Sequence, residues 1–128
     1  MNDAADPRPV RVLCVDDNRD AADSLAALLD VAGYDARACY DGESALYLAR
    51  TFTPDVCLID LNMPGMDGDE LARRLWKWAT GRRLALVAVT AVNDEEGRNR
   101  IKMAGFNRHF VKPAAVRELL AAIEELKA

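Results

Sequence analysis

With 128 residues, 51% of them hydrophobic and 30% charged, the chain has the size and balance of one globular domain with room for a core. Its net charge of -4 argues against a nucleic-acid-binding surface, and no apolar run approaches the length of a membrane span. The opening MNDAADPRP lacks the charged-then-apolar pattern of a signal peptide and is expected to be a disordered lead-in over 1–9, before a single domain over 10–127.

Apolar runs then alternate with amphipathic stretches five times. VRVLCV (10–15) predicts a buried strand. A helix near 19–32 follows, with Leu25, Leu28, Leu29 and Ala32 on one face and Gly33 as its stop. YDARAC (34–39) alternates and predicts an edge strand, and DGESALYLARTF predicts a helix capped by Asp41. DVCLID (55–60) is too apolar for a half-exposed strand and predicts one covered on both faces. Asp67 and Glu70 have the spacing of a capping box for a helix over about 68–79. Trp76 and Trp78 cannot share a face of that helix, which predicts one packed and one partly exposed. LALVAVT (84–90) predicts the fourth strand. Asn93 and Glu96 repeat the capping-box spacing before a helix that runs to about 104 and holds few large apolar residues. HFV (109–111) predicts a short fifth strand, and the last helix, 114–127, carries Val116, Leu119, Leu120, Ile123 and Leu126 on one stripe. Cys14, Cys39 and Cys57 lie in apolar segments without metal spacing, which predicts packed, reduced thiols and a cytosolic setting.

Five strands alternating with five helices predict an α/β fold, a doubly wound parallel sheet with helices on both faces. Sites in such sheets form beyond the carboxyl ends of the strands. There the first strand carries Asp16 and Asp17, the third Asp60, the fourth Thr90 and the fifth Lys112 and Pro113. Singly each has a plain reading: an aspartate can cap the first helix, Asp60 can be a loop acid, and Lys112 a solvated charge. Together they are a candidate shared site. If the first and third strands are neighbours, three carboxylates converge, and each close pair repels by about 4 kcal/mol at an effective dielectric of about 20. One lysine does not offset this, whereas a small oxygen-preferring cation such as Mg²⁺ does. A carboxylate, a metal, a hydroxyl and a lysine suit phosphoryl transfer onto the carboxylate.

VLCVDDN (12–18), LIDLNMPGMDG (58–68), VAVTA (87–91) and AGFNRHFVKP (104–113), in this order and spacing, resemble the receiver domain of bacterial two-component response regulators. The resemblance runs from about Val10 to Leu126. It implies a flavodoxin-like three-layer fold with strand order 2-1-3-4-5. It implies Asp60 as phosphoacceptor, Mg²⁺ held by Asp17, Asp60 and the backbone carbonyl of Asn62, and Asp16 acting through water. Thr90 would hydrogen-bond the phosphoryl group, and Lys112, aimed by a cis bond to Pro113, would pair with it. The donor would be a phosphohistidine of a histidine kinase or histidine phosphotransfer protein. A downstream protein would read the face of the fourth helix, fifth strand and fifth helix, with no nucleic acid or membrane involved. The chain would be a phosphoacceptor switch and not a turnover enzyme, working in the cytoplasm.

Departures from the family pattern are informative. The switch position paired with Thr90, usually Tyr or Phe, is His109, as in receivers of hybrid sensor kinases. An alternative context is therefore a receiver module cut from a hybrid histidine kinase. Val92, two after Thr90, and Asn62 occupy positions that tune phosphoryl hydrolysis in the family. Ala114 and Ala115 leave the last helix without a side-chain cap, a loss of about 1 kcal/mol. A more distant alternative, a haloacid-dehalogenase-type phosphatase, needs a general acid two residues after its nucleophile, where this chain has Asn62. A flavodoxin-like electron carrier would need a phosphate loop where the acidic DDNRD stands.

Overall fold

The computed structural model describes residues 8–127, so the lead-in expected over 1–9 falls mostly outside the described residues. Five strands, β1 (Arg11–Val15), β2 (Asp35–Cys39), β3 (Val56–Ile59), β4 (Ala85–Thr90) and β5 (Arg108–Val111), form one sheet in the order β2-β1-β3-β4-β5. Every neighbouring pair is parallel. Helices α1 (Arg19–Val31), α2 (Gly42–Phe52), α3 (Gly68–Trp78), α4 (Glu95–Ala104) and α5 (Val116–Leu126) make the crossovers. The fold is the doubly wound one expected, and β2 lies at an edge as its alternation predicts.

The period of two along each strand divides the core. Val12, Cys14, Val56, Leu58, Val87 and Val89 face α1 and α5, against Ala26, Leu29, Leu119 and Ile123. Leu13, Val15, Cys57, Ile59 and Leu86 face the other way, against α2, α3 and Ala104 of α4. All four residues of β3 are buried, because apolar side chains wait on both faces. A third, smaller cluster of Leu61, Ala88 and Ile101, with Val92 and Phe106 beside it, seats α4.

Some local expectations are corrected. The buried stripe of α1 is Ala22, Ala26 and Leu29, with Leu25 partly buried, while Leu28 and Ala32 are exposed. Small alanines bring this helix close to the sheet and turn the larger Leu28 out. Asp41 caps α2 as predicted, accepting from the Ser44 N–H at 2.7 Å. The two capping boxes do not form. Asp67 stands at the N-cap of α3 but bonds back to the Met63 N–H at 3.3 Å, and Glu70 pairs with Arg74 at 2.6 Å instead. The cap of α4 is Asp94, one residue after Asn93, accepting from the Gly97 N–H at 2.8 Å. Trp76 and Trp78 are both partly buried against the same core cluster, since Trp78 reaches it beneath the Arg82 guanidinium, 4.7 Å above its ring. Ala115 does stand uncapped before α5.

Candidate functional site

Register brings the strand-end residues together. Val15 pairs with Ile59, so Asp16 and Asp60 leave adjacent strands in step. The Asp60 N–H donates to the Val15 carbonyl at 2.9 Å, and the Asp16 N–H to that of Cys39 at 3.1 Å. On the other side, the Lys112 N–H donates to the Thr90 carbonyl at 2.9 Å, extending the β4–β5 pairing by one step. The Lys112–Pro113 peptide bond is cis.

Asp16, Asp17 and Asp60 each place a carboxylate oxygen within 4.8 Å of the others. Asp16 and Asp60 are buried and Asp17 is exposed, so the acids form a rim with two members set into the protein. The Lys112 ammonium donates to Asp16 at 2.6 Å and lies 3.8 Å from Asp60. The other Asp16 oxygen accepts from the Asn18 N–H at 3.0 Å. Asn18, and neither aspartate, caps α1, accepting from the Ala21 N–H at 3.1 Å. Asp16 and Asp17 are thereby left free of the capping role that would have made them unremarkable.

Burial is the largest influence on Asp60 and pushes its carboxyl above the ordinary range. Lys112 opposes this, Asp16 and Asp17 add to it, and a hydrogen bond from Thr90 works with the lysine. Thr90 itself is buried, and its hydroxyl accepts from the Val92 N–H at 3.3 Å. Three carboxylates against one ammonium leave two negative charges and an all-oxygen donor set. That set fits a small divalent cation such as Mg²⁺, and the group could hold a metal ion.

The loop after β3 is shaped to present Asp60. Gly68 opens α3 so close beneath it that a Cβ there would stand 2.2 Å from the Asp60 carbonyl oxygen. Only glycine permits that approach, and the Gly68 N–H donates to the Leu61 carbonyl at 2.6 Å. Asn62 is exposed at the mouth. A cleft of about 510 Å³ leads from solvent to Asp60 and Lys112 between α1 and the start of α5, walled by Leu25, Leu28, Pro113 and Val116.

His109, on β5, does not enter the acid cluster; its Nε2 is buried without a hydrogen-bond partner. Sequence reasoning missed Gly68, although a glycine straight after an expected cap residue is a readable sign of close approach. It also missed Arg100 of α4, which donates to the Asn62 side-chain oxygen at 3.1 Å. Nothing in the sequence near Arg100 signals that contact, because it depends on how α4 lies against the β3–α3 loop.

Comparison with known proteins bears on the family and the fold. The family model described as "Response regulator receiver domain" matches residues 12–124. A response regulator MprA of Mycolicibacterium vanbaalenii is 37% identical over 118 residues, which cover 92% of this chain and 50% of that protein. The response regulator MprA of Mycobacterium ulcerans is 36% identical over 117 residues, 91% of this chain and 50% of its own. The chain thus spans about half the length of these curated relatives. Among solved structures, a CheY-like response regulator receiver domain protein of Methanospirillum hungatei aligns with a TM-score of 0.85 at 27% identity, covering 93% of this chain and 94% of that one. A putative response regulator of Chloroflexus aurantiacus aligns with a TM-score of 0.85 at 30% identity, covering 94% and 98%.

Proposed function

The chain belongs to the family of response regulator receiver domains of two-component systems, and on that premise we propose that Asp60 is its phosphoacceptor. The observation that carries the proposal is the convergence of Asp16, Asp17 and Asp60 within 4.8 Å, with the Lys112 ammonium 3.8 Å from Asp60. In this reading Asp17, Asp60 and the Asn62 backbone carbonyl hold Mg²⁺ directly, and Asp16 acts through water. The metal, when bound, supplies positive charge to phosphoryl oxygens and to the crowded acids.

The donor is a phosphohistidine of a histidine kinase or histidine phosphotransfer protein. An Asp60 carboxylate oxygen attacks phosphorus; the new O–P bond forms as the P–N bond breaks, and the imidazole nitrogen leaves with the electron pair and takes up a proton. Burial that raises the Asp60 carboxyl also makes its anion more basic, while Mg²⁺ and Lys112 keep it ionised for attack. Lys112 stabilises the phosphoryl oxygens in the transition state, and the Thr90 hydroxyl bonds one of them in the product. Asn62 has no acidic proton to give to a leaving group, which disfavours turnover of small phosphomonoesters.

The new charge biases Thr90 and His109, and through them α4, β5 and α5. That face exposes Met103 and Val111, apolar groups that suit a downstream protein partner. Among the described residues no helix is long and apolar enough to cross a membrane. Three buried cysteines that remain thiols fit a cytoplasmic setting, which is part of the proposal.

Incubation with Mg²⁺ and acetyl phosphate followed by intact-mass measurement tests it. The expected result is one added phosphoryl group, absent in Asp60→Asn. Addition that persists in Asp60→Asn, or sustained release of phosphate from a small phosphomonoester, would overturn the reading.

A further inference from the structure

Arg100 makes an unusual set of contacts for a residue on the outer part of the fold. Its Nε and Nη2 donate to the two carboxylate oxygens of Asp69 at 3.2 and 3.0 Å. Its Nη1 donates to the Asn62 side-chain oxygen at 3.1 Å, and Nη2 lies 3.4 Å from Asp67. One guanidinium on α4 therefore grips three residues of the segment 62–69, which runs from the mouth of the acid cluster into the first turn of α3. The grip is partly sheltered, with side-chain exposures of 28% for Arg100 and 14% for Asp69. A two-bond fork to a carboxylate fixes the plane of the guanidinium, and that plane then directs the third bond at Asn62.

Among the described residues this is the only side-chain hydrogen bond that Asn62 makes. Leu61 and Met63 on either side are buried, so the chain on both sides of Asn62 is anchored. Asn62 is the exposed residue of this stretch, and Arg100 is what holds its side chain. Helix α4 has only Ile101 in the smallest apolar cluster and Ala104 at the edge of a larger one, and the Arg100 fork is its polar link to the segment beside the site.

We propose that Arg100 is a positioning residue: it orients Asn62 for metal ligation and couples the placement of α4 to the acid cluster. The inference rests on the reading of Asp17, Asp60 and the Asn62 carbonyl as the Mg²⁺ ligands. Partners that orient a ligand matter to metal binding by about 10- to 100-fold. Coupling is reciprocal: if α4 and its fork help hold the ion, the ion must in turn hold α4.

Two measurements test the proposal on the full chain, Mg²⁺ titration followed by NMR and amide hydrogen exchange of α4 with and without Mg²⁺. Arg100→Ala and Arg100→Lys are both expected to weaken Mg²⁺ binding by about tenfold. Lysine fails to rescue because a single ammonium cannot keep the fork on Asp69 and reach Asn62 together. In the unaltered chain Mg²⁺ slows exchange in α4, and in both variants this Mg²⁺-dependent protection is lost. A role of simple charge predicts the opposite sign: removing a cation in Arg100→Ala would tighten Mg²⁺, and Arg100→Lys would bind as the unaltered chain does. Either of those results overturns the proposal. So does faster α4 exchange that keeps its full Mg²⁺ dependence, the mark of a merely structural ion pair. In an Asn62→Ala background the Arg100 effect on Mg²⁺ should vanish, and an undiminished effect there also overturns it. An unaltered chain that binds no Mg²⁺ would overturn the metal reading as well, a failure visible before any variant is compared.

Discussion

His109 is a half-buried imidazole whose Nε2 has no hydrogen-bond partner. A polar nitrogen left unsatisfied in the interior costs about 1–3 kcal/mol, which water returns if the ring turns outward. The inward placement of Nε2 therefore carries a standing polar penalty, a suitable balance for the switch role proposed for this residue. Burial, and secondarily the charge of Arg98, lower its pKa from the ordinary value of 6.5. The consequence for stability has a definite sign. As pH falls through about 6.5 the unfolded chain binds this proton first, so His109 contributes stability above that pH and loses it as pH falls through the lower folded value. An NMR titration should place the His109 midpoint below 6.5, and His109→Phe should remove this component of the acid sensitivity. A midpoint at 6.5 would mean that the ring is mostly solvated, and one above it that a neighbouring group favours the charged ring. The type and place of this residue were legible in the sequence, from its distance to Lys112. Its missing partner was not, because that depends on what the neighbouring elements put beside the ring.

At the scale of elements, α4 is seated by shape more than by apolar area. A Cβ at Gly97 would stand 2.1 Å from Cγ1 of Val92, so the first turn of the helix closes directly over the loop after β4. Two effects of Gly97→Ala oppose each other. Alanine favours a helix over glycine by about 1 kcal/mol. Overpacking against Val92, which is pinned by its own N–H bond to Thr90, costs about 1–3 kcal/mol and should win. Chemical denaturation should thus show Gly97→Ala destabilised and Gly97→Ala with Val92→Ala largely restored. A stabilised single variant would mean that the loop yields easily and α4 is loosely held. Sequence spacing located the start of this helix to within a residue but chose the wrong cap. Asn93 and Asp94 both have capping side chains; Asp94 is the one that reaches the Gly97 N–H, while the Asn93 backbone carbonyl accepts from the Arg98 guanidinium. The same limit explains α1. Counting leucines turned its inner face toward Leu28, whereas the close fit to the sheet selects Ala22 and Ala26.

Across the whole molecule, what chain direction controls was legible and what lateral packing controls was not. Asp16, Asp60, Thr90 and Lys112 each end or follow a strand, and parallel strands in step must bring such residues to one edge. Arg100 reaches the same region from the side of a helix, a placement no spacing rule encodes. The partition of the core then decides where a change at Asp60 travels. Both faces of β1 and β3 are locked into the two large clusters, which α1, α2, α3 and α5 share and to which α4 adds only Ala104. The third cluster, under α4, has three buried members. Segments with few buried apolar contacts open and shift at the least free-energy cost. Charge added at Asp60 should therefore move the chain from Ala91 to Lys112 before it moves α2, even though α2 also begins near the strand ends. Beryllofluoride with Mg²⁺, a mimic of the phosphoryl group, allows an NMR comparison of the two states. Amide shifts should concentrate in 91–112 and around the acid cluster, with 42–52 nearly silent. Unchanged shifts over 91–112, or equal shifts in α2, would mean that the response does not follow the weakest packing, and would overturn the proposed downstream face of α4, β5 and α5.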